Sequence, residues 1–192
     1  MKVQPGRGQP RSVTVMKIKI LAVTLGLAAA LGAFGPQSFA ADKEASGKAT
    51  ATEKAFIKKA AAGGMTEVEL GQLAAEKGGS DEVKDFGNRM VKDHTKINND
   101  LKEVAGKMNV DVPSKISAKH HATIEKMSAM SGAEFDKEYV KEMVKDHEMD
   151  VAEFEKAAKE VKNEDLKKFI DDSVSVMKEH LEMIKKFAQA KS

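Results

Sequence analysis

From about residue 53 onward, apolar residues recur at three- and four-residue spacing in four long runs and one short run, the signature of amphipathic helices. No stretch of strict alternation competes as a strand. The first helix is expected from about Glu53 to Lys77, with Phe56, Ala60, Gly63, Leu70 and Ala74 on one stripe, and Gly78-Gly79 stops it. The second opens at Ser80-Asp81-Glu82, a capping residue followed by acids suited to a helix N-terminus, and continues to about Met108. Residues 109 to 114, with Pro113, break the pattern. A short helix is expected from Ser117 to Met130, ending at Gly132. The third long helix runs from about Ala133 to Val161, and the fourth from about Glu164 to Phe187 behind Asn163 as its cap.

Four long helices with single apolar stripes predict an all-α four-helix bundle. The connection between the second and third long helices sets the topology. A helix of roughly 28 residues is about 42 Å long, and a short helix plus roughly nine extended residues can return the chain along that length. Such a crossover makes the two helices parallel, as in ferritin-like bundles. The alternative is a fifth helix capping one end of an up-and-down bundle.

The polar residues on the inward stripes are few. Met-Val-Lys-Asp-His occurs at Met90 to His94 and again at Met143 to His147. His94 falls on the stripe of Val83, Phe86, Met90, Ile97, Leu101, Val104 and Met108, and His147 on that of Phe135, Met143, Phe154 and Val161. Glu67 sits at the centre of the first helix's stripe. His180 lies among Phe169, Ser173, Val176, Ile184 and Phe187, and Asp150 stands one turn beyond His147 where the repeat has Ile97. Glu67, His94, His147 and His180 all fall near the middle of their helices, so they can meet in one layer. A buried imidazole needs a hydrogen-bond partner, another titrating group or a metal. These four, with Asp150 as a fifth candidate, suit a divalent transition metal such as Zn, Cu or Fe. The competing reading is a buried His-carboxylate layer that fixes helix register without metal.

Other polar positions carry less. Asp93 and Asp146 lie about 60° off their stripes and could orient a neighbouring helix's histidine, although a solvated boundary acid is the commoner role. His120 and His121 sit on the short helix, point in different directions and read as structural. Met90 and Met143 each precede a histidine by four residues, which offers thioethers to Cu(I), but methionine on an apolar helix face is usually core filler.

The N-terminus changes the picture of location. Lys17 and Lys19 precede an apolar run from Ile20 to Phe34, and Gly35-Pro36 leads to Ser38-Phe39-Ala40, a signal-peptidase pattern. Residues 1–40 are therefore expected to be a signal peptide cleaved near Ala40, with translation starting at Met1 or Met16, followed by a polar lead over 41–52 and a bundle domain over 53–188. The apolar run is too short for a comfortable membrane span. Removing the leader takes away five basic and no acidic residues, which turns the formal charge of +2 into −3. With both signs interspersed along every helix, nucleic-acid binding is not expected. The absence of cysteine excludes lipid attachment and disulfides, so a periplasmic or secreted protein without a stable membrane span is expected.

Three runs carry a family likeness. They are Phe56 to Gly71 (FIKKAAAGGMTEVELG), Arg89 to Lys96 (RMVKDHTK), and Ser131 to Val140 followed by Met143 to Glu148 (SGAEFDKEYV, then MVKDHE). Over about residues 53 to 188 the chain resembles the bacterial exported family catalogued as domain of unknown function four-one-four-two, whose members are labelled as outer membrane proteins and placed among ferritin-like folds. The resemblance implies a ferritin-like bundle and export, and leaves activity open. The chain departs from di-iron bundles, which use Glu-x-x-His pairs: the positions three before the core histidines are Val91, Val144 and Met177. Ferroxidase chemistry of that kind is not expected. The sequence thus points to an exported bundle that handles metal or serves envelope stress without turnover; a structural or interaction protein of the envelope is the alternative.

Overall fold

A computed structural model describes residues 48–190. The signal-peptide reading and most of the polar lead lie outside the described residues. Five helices account for nearly all of the rest: α1 (Ala51–Lys77), α2 (Asp81–Lys107), α3 (Ala118–Ser128), α4 (Gly132–Glu160) and α5 (Glu164–Ala190). There is no strand among the described residues, and none of their helices is long and apolar enough to cross a membrane.

Two hairpins build the bundle. The α1–α2 hairpin turns at Gly78–Ser80 and packs backbone to backbone: a Cβ on Gly87 would stand 2.7 Å from the Gly71 carbonyl oxygen, so only glycine permits this approach. The α4–α5 hairpin turns at residues 161–163. Helix α2 packs against α5 and α1 against α4, which leaves α2 and α4 on a diagonal. Both of these diagonal helices start at the same end, where the backbone N–H groups of Gly79 and Ser80 donate to the Asp136 carboxylate at 2.8 and 3.0 Å. Their far ends share one apolar cluster that holds Leu101, Val104, Met108, Phe154 and Val161. Helices α2 and α4 are therefore parallel, and residues 109–131, with α3 packed on α1 and α4, form the expected long crossover.

The caps show where local sequence does and does not decide. Helix α1 starts two residues earlier than its pattern indicates, because Thr50 and Glu53 form a capping box. Asn163 caps α5, its side-chain oxygen accepting from Leu166 N at 2.9 Å. Ser80 occupies the N-cap position of α2 without a side-chain cap; it is tied instead through its backbone N–H, which donates to Asp136.

The opposite end mirrors this tie. Glu53, buried at 3% exposure, accepts from the backbone N–H groups of Lys162 and Asn163 at 2.9 and 3.0 Å. Each hairpin loop is thus held by a carboxylate of the other hairpin. Asp136→Ala is expected to lower stability by about 2–3 kcal/mol, the loss of two charge-assisted bonds from part-buried backbone donors, and Glu53→Ala by at least as much, since its carboxylate also accepts from Thr50 N. A urea titration would read this as a lower midpoint at unchanged slope.

Two apolar clusters fill the interior. One lies toward the Glu53 end, around Ile57, Leu101, Phe154 and Ile170; the other lies toward the Asp136 end, around Leu70, Phe86, Phe135, Met143 and Ile184. Between them runs a belt of buried polar side chains.

Candidate metal centre

The belt holds Glu67, His94, His147 and His180, each no more than 3% exposed. Their levels follow from the sequence: each lies about half-way along its helix, between apolar residues of the two clusters. Helices α2, α4 and α5 bring one imidazole each to the bundle interior. The ring centroids stand 5.4–5.8 Å apart pairwise, and one ligand atom from each ring lies within 4.8 Å of the others.

The hydrogen bonds around the rings decide which nitrogens are free. His147 Nδ1 lies 3.0 Å from the Met143 carbonyl oxygen. A carbonyl only accepts, so Nδ1 carries the proton and Nε2 the lone pair. His180 Nε2 donates to Asp93 Oδ2 at 2.9 Å, which leaves the lone pair on Nδ1. Asp93 is held in turn by Arg89 Nε at 3.2 Å, and Arg89 also bonds Glu179 at 2.6 Å. His147 Nε2, His180 Nδ1 and His94 Nε2 are buried without a hydrogen-bond partner.

Electrostatics keeps these rings neutral. Burial, then repulsion from His147 and His180, pushes His94 well below its ordinary value. Burial and His180 pull His147 down to about 4. Burial lowers His180 too, against the opposing pull of Asp93. Neutral imidazoles with free lone pairs are the form in which histidine binds metals. Around a tetrahedral ion with Zn–N bonds of 2.0–2.1 Å, ligand nitrogens stand about 3.4 Å apart, inside the 4.8 Å within which one ligand atom of each ring lies here.

The five expected ligands divide into two sets. The structure does not bring Glu67 and Asp150 into the group formed by His94, His147 and His180. Helix α1 is next to α2 and α4, so its inward carboxyl faces the acidic row of α4. Burial, then Asp146, then Asp150 and Glu142 push the Glu67 carboxyl well above its usual range, and neither of its oxygens meets a donor group. Asp150, desolvated beside Asp146 and Glu153, is pushed up to about 7. Burial and the neighbouring carboxylates therefore favour the protonated form of Glu67. Glu67→Gln, which mimics that form, is expected to stabilise the protein by about 2 kcal/mol at pH 8, where folding the wild type must protonate or desolvate a carboxylate that the unfolded chain keeps ionised in water. Near pH 4 the gain disappears, because there the wild-type carboxyl is protonated in the folded and unfolded states alike. Chemical denaturation at the two pH values measures it.

Of the two roles open to Asp93, the structure shows the histidine acceptor: it orients His180. Other features carried little or no sequence signal. Arg89, which fixes Asp93, has one sequence signal, its place four residues before an acid. Tyr139 is fully buried with an unpartnered hydroxyl, and proximity to the Glu67 charge adds to burial in raising its pKa. Its spacing of four from both Phe135 and Met143 places it on their stripe. His120 reaches a cavity beside the belt with a buried, unpartnered Nδ1.

The model of the family described as "Domain of unknown function (DUF4142)" matches residues 38–187. No curated protein matches the sequence. Among solved structures, a DUF305 fragment from Deinococcus radiodurans superposes with a TM-score of 0.66 at 12% identity, covering 73% of this chain and 97% of that one. CopM in its Cu(II)-bound form gives 0.63 at 16% identity, with 72% and 97% covered. CopM in its Cu(I)-bound form gives 0.61 at 16% identity, with 71% and 95% covered. At these identities the likeness establishes a shared helical fold.

Proposed function

We propose, for a chain that belongs to the DUF4142 family and so takes no activity from its family, that it is an exported metal-handling bundle in which His94, His147 and His180 hold one transition metal ion, copper or zinc. The observation that carries this reading is the set of three buried, unpartnered ring nitrogens on three different helices. A layer that only fixed helix register would be expected to pair its own polar atoms, since each orphaned buried group costs about 1–3 kcal/mol. Three neutral imidazoles and no resident carboxylate suit Cu or Zn better than Mg or Ca. The fold likeness to CopM, solved with Cu(I) and with Cu(II), favours copper as the first ion to try.

In this reading Asp93 fixes the His180 tautomer and the Met143 carbonyl fixes that of His147, as partners behind metal-ligating imidazoles commonly do. The ion itself supplies a Lewis-acidic or redox-active centre. Periplasmic location rests on Lys17, Lys19, the apolar run and Ser38-Phe39-Ala40. One preparation tests both parts. Protein released from the periplasm should begin at Ala41 or within a residue or two of it and carry about one copper or zinc per chain. The His94→Leu, His147→Leu double variant should carry none. A metal-free wild type that stays metal-free after equilibration with either ion would refute the proposal.

A further inference from the structure

Apolar clusters close the triad along the bundle axis, so an ion must arrive sideways, between helices. On the α2–α5 side lies a cavity of about 460 Å³ that reaches Asp93 and Arg89 but has no histidine in its wall. On the other side, a cavity of about 230 Å³ lies between α1, α4 and the start of α3, and His94 is part of its wall. His94 is the triad member with an unpartnered, buried Nε2 at that wall.

The second cavity is lined for cations. Asp146, Asp150 and Glu153 follow one another along α4 at four- and three-residue spacing, so they share one face. At the outer end Lys59 of α1 pairs with Glu153. At the inner end the Asp146 carboxyl meets Glu67, whose two oxygens lack any donor. His120, from the crossover helix, contributes an imidazole to the same cavity. The α1 wall is open at Gly63: a Cβ there would meet nothing within 4 Å.

Resting on the metal reading of the triad, the geometry points to this cavity as the loading port for the ion: a divalent transition cation enters past the Lys59–Glu153 pair, exchanges water for the oxygens of Asp150 and Asp146, and passes to His94. The carboxylates act as transient ligands, and the three nitrogens keep the ion. Lys59 sets the charge at the mouth. The acidic row also accounts for an apolar-to-carboxylate change at position 150, where the repeated segment in α2 has Ile97.

Loading kinetics separate the port from the site. Apo full-length protein is mixed with Zn(II) in a stopped-flow instrument, with a chromophoric chelator reporting free zinc, and stoichiometry is measured at equilibrium. Gly63→Leu, which fills the port, and Asp150→Asn, which removes charge from it, should each slow loading about tenfold while the final stoichiometry stays at one. Lys59→Ala should speed loading a few-fold at low salt and lose that advantage at high salt, as steering of a cation requires. Asp100→Asn, in the opposite groove, should leave the rate unchanged. Unaltered rates in both Gly63→Leu and Asp150→Asn, with one zinc still bound, would overturn the port and leave the triad standing. Lost stoichiometry in Asp150→Asn would make that carboxylate a resident ligand and also overturn the port. A wild type that binds no zinc removes the triad reading and the port together.

Discussion

Addition of Zn(II) or Cu(II) to the apo protein is expected to raise Tm by roughly 10–15 °C when the free ion stands about a thousandfold above Kd. At that ratio, binding to the folded state alone adds about 4 kcal/mol, and a domain of this size gains roughly 3–4 °C per kcal/mol. The shift should vanish in the His94→Leu, His147→Leu double variant. That variant should still melt cooperatively, because leucine suits the apolar clusters on either side of the belt. The shift should also shrink below about pH 6, where protons compete for the ligand nitrogens. Differential scanning calorimetry with and without the ion gives the result directly; an equal shift in the double variant would place the binding elsewhere.

Acid should act on the apo protein through His147 by a similar amount. Its folded-state pKa is depressed to about 4 from the ordinary 6.5. Above pH 6.5 the ring is neutral in both states and the contribution to stability is intact. As pH falls from 6.5 towards 4, the unfolded chain takes up the proton and the folded one does not, so stability is lost. The loss attributable to this residue is roughly 3 kcal/mol. Glu67 and Asp150, with raised pKa values, act in the opposite sense over an overlapping range, so the wild-type profile alone is ambiguous. The difference between wild type and His147→Leu isolates the contribution of this ring. It should move against the wild type by roughly 3 kcal/mol between pH 7.5 and pH 4, as urea denaturation at each pH would show.

Much of this architecture is written in periodicity. The helices, the two tight turns and the crossover emerge from apolar spacing and from Gly78-Gly79, Pro113 and Asn163. The level of the polar belt does too, because each inward polar residue lies about midway along its helix. Periodicity gives a residue's level and face, but not which neighbour that face meets. Glu67 shares the level of the histidines, yet α1 packs against α4, so its carboxyl meets Asp146 and not the triad. The same packing explains why the buried face of α1 includes Ile57, Ala61 and Thr66 beyond the expected stripe: α2, α3 and α4 all cover this helix. Asp93 shows a further limit. Its place off the stripe centre fits a solvated acid, the commoner role, and also a histidine acceptor; the choice depends on where α5 puts His180.

The triad draws one imidazole from the α1–α2 hairpin and two from the α4–α5 hairpin. An ion bound to all three is therefore a cross-link between the two halves of a chain that has no cysteine with which to make one. Without it, the hairpins are joined by the Glu53 and Asp136 ties and by the two apolar clusters. With it, separating the hairpins would also require breaking a metal–nitrogen bond. Unlike a disulfide, this clasp needs no oxidant to close and is released by acid. In such a protein, metal occupancy would set how firmly one half of the bundle is held to the other.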